Sequence, residues 1–186
     1  MTVREIIVNA FKLLGREDLA AAVSKGERLD EEGEEKAQTL LYCFNAVEDE
    51  LARYYFPLKT TEQFTSSTGI YEFEKFAERP VKILSVKSGG NAVSYEVMPK
   101  YFKCDQTSVT VEYEYAPLKK ELSDTSAFDG TAVCENLIAA GTVSEYYLIS
   151  GAVISAQSWE SRYREEIDKA RKKQHIRTSI PPRRWV

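Results

Sequence analysis

Apolar positions spaced by three and four mark the first element. Val3, Ile6, Ile7, Ala10, Phe11 and Leu14 form one stripe and predict an amphipathic helix over residues 2–15. Thr2 followed three residues later by Glu5 is a capping-box pattern, and Gly15 provides the stop. Residues 17–23 add a helical turn or two before Gly26. A second helix is expected from Asp30, whose carboxylate can cap free amides while Glu31, Glu32 and Glu34 favour the positive end of the helix dipole. It places Ala37, Leu40, Leu41, Phe44, Val47, Leu51 and Tyr55 on one face and ends at Pro57. Two such helices joined by a short acidic loop are expected to pair as an antiparallel hairpin.

At Leu58 the period changes from helical to alternating. Residues 61–116 are rich in Thr, Ser, Tyr, Phe and Val, and residues 109–115 alternate over seven positions, the clearest strand signal in the chain. The runs 81–87 and 92–97 flank Ser88-Gly89-Gly90-Asn91, a strong hairpin signal. The expectation is a small antiparallel sheet of four or five strands, closed by Pro117.

Helical spacing returns over residues 132–173, with Val133, Leu137, Ala140, Tyr147, Ile154, Trp159, Tyr163, Ile167 and Ala170 on the stripe. Gly141 and Gly151 each cost about 1 kcal/mol against alanine in a helix interior. A break at Ser150-Gly151 is expected, giving two helices. The fold class is therefore α+β: a helical bundle of two N-terminal and two C-terminal helices, an inserted small antiparallel β lobe and an extended C-terminal tail. The expected boundaries are 1–58 for the first hairpin, 59–119 for the β lobe, 120–173 for the last helices and 174–186 for the tail.

Composition refines this picture only in places. With 43% hydrophobic residues the chain of 186 can bury a core, and a formal net charge of -4 argues against non-specific nucleic-acid binding by the whole protein. The charge is polarised: residues 27–35 hold six acids against Arg28, whereas from Arg171 onward there are six basic residues and no acid. Such polarity suits contact between like subunits, although a solvated charge run is the plainer explanation. Cys43, Cys104 and Cys134 are too few and too scattered for a disulfide framework or a zinc site, and a reducing compartment fits them. No apolar run of ~18 residues occurs, and the charged N-terminus does not read as a secretory signal. The expectation is a soluble protein made in the cytoplasm.

Few side chains in the sequence form a catalytic pattern. The one histidine, His175, lies in the basic tail, no phosphate-binding glycine loop follows a strand, and adjacent acids such as Glu165 and Glu166 diverge on a helix. No catalytic, cofactor-binding or metal residue is assigned. The tail is different: His175, Arg177, Pro181, Pro182, Arg183, Arg184 and Trp185 combine interface-anchoring residue types with prolines that lower the entropy lost on docking.

Taken together, the order of elements resembles the head–tail connector (adaptor) proteins of tailed bacteriophages, the group that includes the tail tubular protein A of short-tailed phages. The likeness rests on Leu13-Leu14-Gly15 ending a first helix, on residues 40–51 in a second, and on the strand segments 82–86 and 109–115. It ends with Trp159-Glu160-Ser161-Arg162-Tyr163 leading to Ala170 in a last helix with a protruding tail. The resemblance implies a structural virion protein without catalysis or cofactor. It would form a ring, commonly of twelve copies, below the portal protein, with a tail or nozzle protein beneath and DNA passing through the channel. The protein would be synthesised in the host cytoplasm, end in the virion neck and bind no membrane. Residues 174–186 would dock on the portal, and Glu31, Glu32, Glu34 and Glu35 would face a neighbouring subunit or the channel. The alternatives are another phage neck or tail-completion protein, a cytoplasmic protein-binding module, or a small hydrolase.

Overall fold

The computed structural model describes the backbone of residues 1–177 and the side chains of residues 1–173. The chain divides into two compact units, one from Met1–Glu48 with Lys119 onward, the other Asp49–Leu118. Each is described by itself.

The first unit is helical: α1 (Val3–Leu13), α2 (Glu17–Lys25), α3 (Glu31–Glu50, entering the second unit at its end), α4 (Glu135–Ile149) and α5 (Val153–Arg177). Helix α1 starts as its sequence dictates. The Glu5 amide donates to Thr2 Oγ1 (3.2 Å) and the Thr2 amide to Glu5 Oε2 (2.7 Å), satisfying two free donors reciprocally. A Thr2→Ala substitution is expected to lower stability by about 1 kcal/mol in urea unfolding; no loss would mean that solvent replaces the cap. One face of α1 buries Val3, Ile6, Ile7, Ala10 and Phe11. Helix α3 is capped by Asp30, whose Oδ1 accepts from the Gly33 amide at 2.8 Å. The return segment before α4 is stitched to both: the Val3 amide donates to the Asp124 carbonyl and the Ser126 amide to that of Met1. Asn45 Oδ1 accepts from the Lys120 amide at 2.6 Å.

The second unit opens with a π-helical turn, Leu51–Tyr55, closed by the Phe56 amide on the Leu51 carbonyl (2.7 Å). Its strands are β1 (Leu58–Thr65), β2 (Ile70–Glu72), β3 (Arg79–Ser88), β4 (Asn91–Ala92), β5 (Glu96–Val97), β6 (Tyr101–Lys103) and β7 (Ser108–Ala116). They form two antiparallel sheets, in the orders β1-β7-β3-β4 and β2-β6-β5. Strand β7 is central to the first, and its alternation buries Val109, Val111 and Tyr113. Gly89 and Gly90 join β3 to β4 with φ of 57° and 86°, the left-handed pair that a two-residue hairpin turn demands. Aromatic rings fill the core: Tyr71 stacks on Phe102 at 4.8 Å, and Phe76 meets Tyr113 edge-on at 4.9 Å.

The architecture corrects the expected bundle of two N-terminal and two C-terminal helices with one small β lobe. Among the described residues three helices precede the strands and two follow, and there are two sheets with seven strands. Residues 17–25 form a complete helix because Leu19, Ala20 and Val23 bury one side of it, a gain that a nine-residue segment does not announce on its own. The expected partner strand 92–97 splits: its first residue ends β4, and its last two, as β5, pair with β6 in the other sheet. The chain does break after Ser150, at Gly151 with φ 75°, whereas Gly141 lies inside continuous helix. Helix α5 runs to Arg177, so an extended tail does not begin at Gln174.

Candidate functional site

The first turn of α3 carries the acidic run, and all four of its glutamates are exposed. They are not equivalent. Glu32 accepts from Lys36 one turn on and has Arg16 Nη1 at 3.9 Å; the Lys36 hydrogen bond, then its charge, hold its carboxyl below the usual range. Arg16 is itself committed to Asp18 through Nε (3.0 Å) and Nη2 (2.8 Å), which brings that carboxyl down to about 2. Glu34 instead stands at the rim of an open cleft of about 260 Å³. The aliphatic lining of this cleft is Val23, Leu29, Ala37, Leu41 and Leu122, and its polar rim is Arg4, Glu27, Arg28, Glu34 and Gln38. Glu31 and Glu35 lie outside it. Thus one residue of the four belongs to this cleft, and one is engaged in a local ion pair worth little at the surface.

A second feature was hidden in the helical stripe. The turn between α4 and α5 exposes Leu148 (57%), Ile149 (54%), Val153 (53%) and Ile154 (85%). Ile154 was expected on the buried stripe; the buried face of α5 is Ala156, Tyr163, Ile167 and Ala170. From Tyr146 to Ser158 the chain holds no Asp, Glu, Lys or Arg, in a sequence that is 29% charged. Clustered exposed aliphatics of this kind mark interaction surfaces. The signal legible beforehand was the missing charge.

Cys43, Tyr113 and Glu48 are buried. Burial pushes the Cys43 thiol up to about 12, with Glu145 adding to the effect, so it is no nucleophile at neutral pH. Tyr113, fully buried, donates its hydroxyl to Glu62, and burial together with that carboxylate raises its pKa. Glu48, 1% exposed, accepts from Ser126 Oγ (2.7 Å) and the Ala127 amide (2.8 Å) through Oε1, while Oε2 has no partner. Both bonds tie α3 to the return segment, a structural task.

Among the described residues no group of three His, Cys, Asp or Glu side chains is placed to hold a metal, and no helix is long and apolar enough to cross a membrane. The expected docking residues His175, Arg177, Pro181, Pro182, Arg183, Arg184 and Trp185 lie outside the residues whose side chains are described. Comparison with known proteins gives no match to any protein-family model and none to any curated protein.

Proposed function

We propose that the protein is a structural connector of a tailed-phage virion, a head–tail adaptor that assembles as a ring below the portal. In this reading a dodecameric ring joins the capsid vertex to a tail or nozzle protein. DNA passes through its channel without sequence-specific contact, and neither cofactor nor catalysis is involved. The observation that carries it is the assembly-type surface of the helical unit: an uncharged aliphatic corner at residues 148–154 and a separate apolar cleft rimmed by charge. The order of elements supports it as well, since the strand-rich unit is inserted between the two parts of the helical unit. Of the acidic turn, Glu34 suits contact with a neighbouring subunit better than a channel wall, because it borders the cleft.

The test is native mass of the purified protein, alone and mixed with portal assemblies, beside a version ending at Lys173. The full-length chain is expected to join the portal in a ring-sized complex, and the shortened one to fail. If both remain monomeric and ignore the portal, the connector reading falls and a cytoplasmic binding module takes its place.

A further inference from the structure

We infer that the α4–α5 corner of one copy inserts into the α1–α3 cleft of the next, as a head-to-tail contact between identical chains; this rests on the ring reading above. Exposed aliphatics and an apolar hollow occur on the same helical unit, and none of residues 148–154 lines the cleft of its own chain. A patch and a pocket at different places on one molecule make a heterologous contact, which propagates and closes into a ring when the rotation allows. Each copy then offers one corner and one cleft, and no copy but a terminal one is left unsatisfied.

Size and charge choose this occupant over others. At about 260 Å³ the cleft lies below the range of roughly 300–1,000 Å³ usual for small-molecule sites, and it is open. It suits one or two branched side chains, and Ile154, at 85% exposed, leads the corner. Because residues 146–158 are free of charge, the insertion buries no ion, while Arg4, Glu27, Arg28 and Glu34 stay at the rim in water. A membrane-seeking tip would carry flanking lysine or arginine; here the nearest charged neighbours on the two sides are Glu145 and Glu160. A second copy of the chain, and not a lipid surface, is the matching partner.

Disulfide trapping tests the contact directly. Two differently tagged chains, Ile154→Cys and Gln38→Cys, both in a Cys134→Ser background, are mixed under mild oxidation, alone and with portal assemblies. The expected product is a disulfide between unlike chains, with neither variant linking to itself. Ile154→Cys chains linking chiefly to one another would show a corner-to-corner dimer and overturn the proposal, as would absence of the mixed product in both conditions. A second arm uses substitutions at exposed positions, which leave the fold intact. Ile154→Asp, or Gln38→Trp filling the cleft, is expected to weaken self-association at least tenfold by sedimentation. A ring on the portal that forms normally with Ile154→Asp would overturn this contact and leave the connector reading standing. A mixed disulfide with no portal binding would do the reverse.

Discussion

Valine at position 141 is expected to lower the unfolding free energy by roughly 3 kcal/mol or more, whereas alanine there should cost about 2 kcal/mol or less. A Cβ on Gly141 would sit 2.8 Å from Tyr163 Cε2 and 2.9 Å from Val47 Cγ1, so α4 passes both α5 and α3 closer than a side chain permits. Tyr163 is 3% exposed and Val47 1%, and neither ring nor methyl can swing into solvent. For alanine, the gain of about 1 kcal/mol in helix propensity offsets much of an overpacking penalty of about 1–3 kcal/mol. Valine forgoes that gain, being β-branched, and adds two methyls to the same gap. Urea unfolding of the three proteins decides it. A valine variant as stable as the parent would mean that the helices are not in close contact at this point.

Position 141 also shows where sequence reasoning stops. That glycine weakens an isolated helix was legible; that the loss is repaid by contact between helices distant in sequence was not, because the spacing of one segment holds no record of its neighbours. Signals confined to a few residues transferred well. The Thr2–Glu5 cap, the Gly89-Gly90 turn, the alternation of β7 and the break at Gly151 all depend on groups within one short stretch of chain. What failed needed partners. Helix α2 is held by Leu19, Ala20 and Val23 against the rest of its unit, and β5 is defined only by its pairing with β6. The π-helical turn at Leu51–Tyr55 left no pattern distinct from an α-helix.

The same division runs through the candidate surface. The acidic run from Glu31 was visible as charge, but its separation into a paired Glu32 and a cleft-bordering Glu34 depends on where Arg16, Lys36 and Leu122 arrive in space. Helical periodicity placed Ile154 with the core because periodicity measures spacing, not what covers the face. At the end of a helical pair nothing does, and an apolar residue there stays exposed.

Glu48 makes the second large prediction, and pH is its lever. Glu48→Ala should lower stability by roughly 3 kcal/mol, since it leaves the Ser126 hydroxyl and Ala127 amide without their acceptor and opens a cavity. Glu48→Gln keeps an oxygen for both donors and removes the ionisable group. Burial raises the Glu48 carboxyl above its ordinary 4.5, against the opposing pull of the Ser126 and Ala127 hydrogen bonds and the Lys120 charge. A raised carboxyl binds its proton more tightly folded than unfolded. Its contribution to stability is therefore complete below pH 4.5 and is lost as pH rises through the folded-state value. The glutamine variant has no such loss. Relative to the parent it should gain stability between pH 4.5 and neutrality, with a slope no steeper than about 1.4 kcal/mol per pH unit, the limit for one proton. Urea midpoints for both proteins at pH 4, 5, 6 and 7 supply the test. If the gap between them stays constant, Glu48 ionises as freely in the folded protein as in the unfolded chain. If it widens in the parent's favour as pH rises, the carboxylate form is the one the return segment holds.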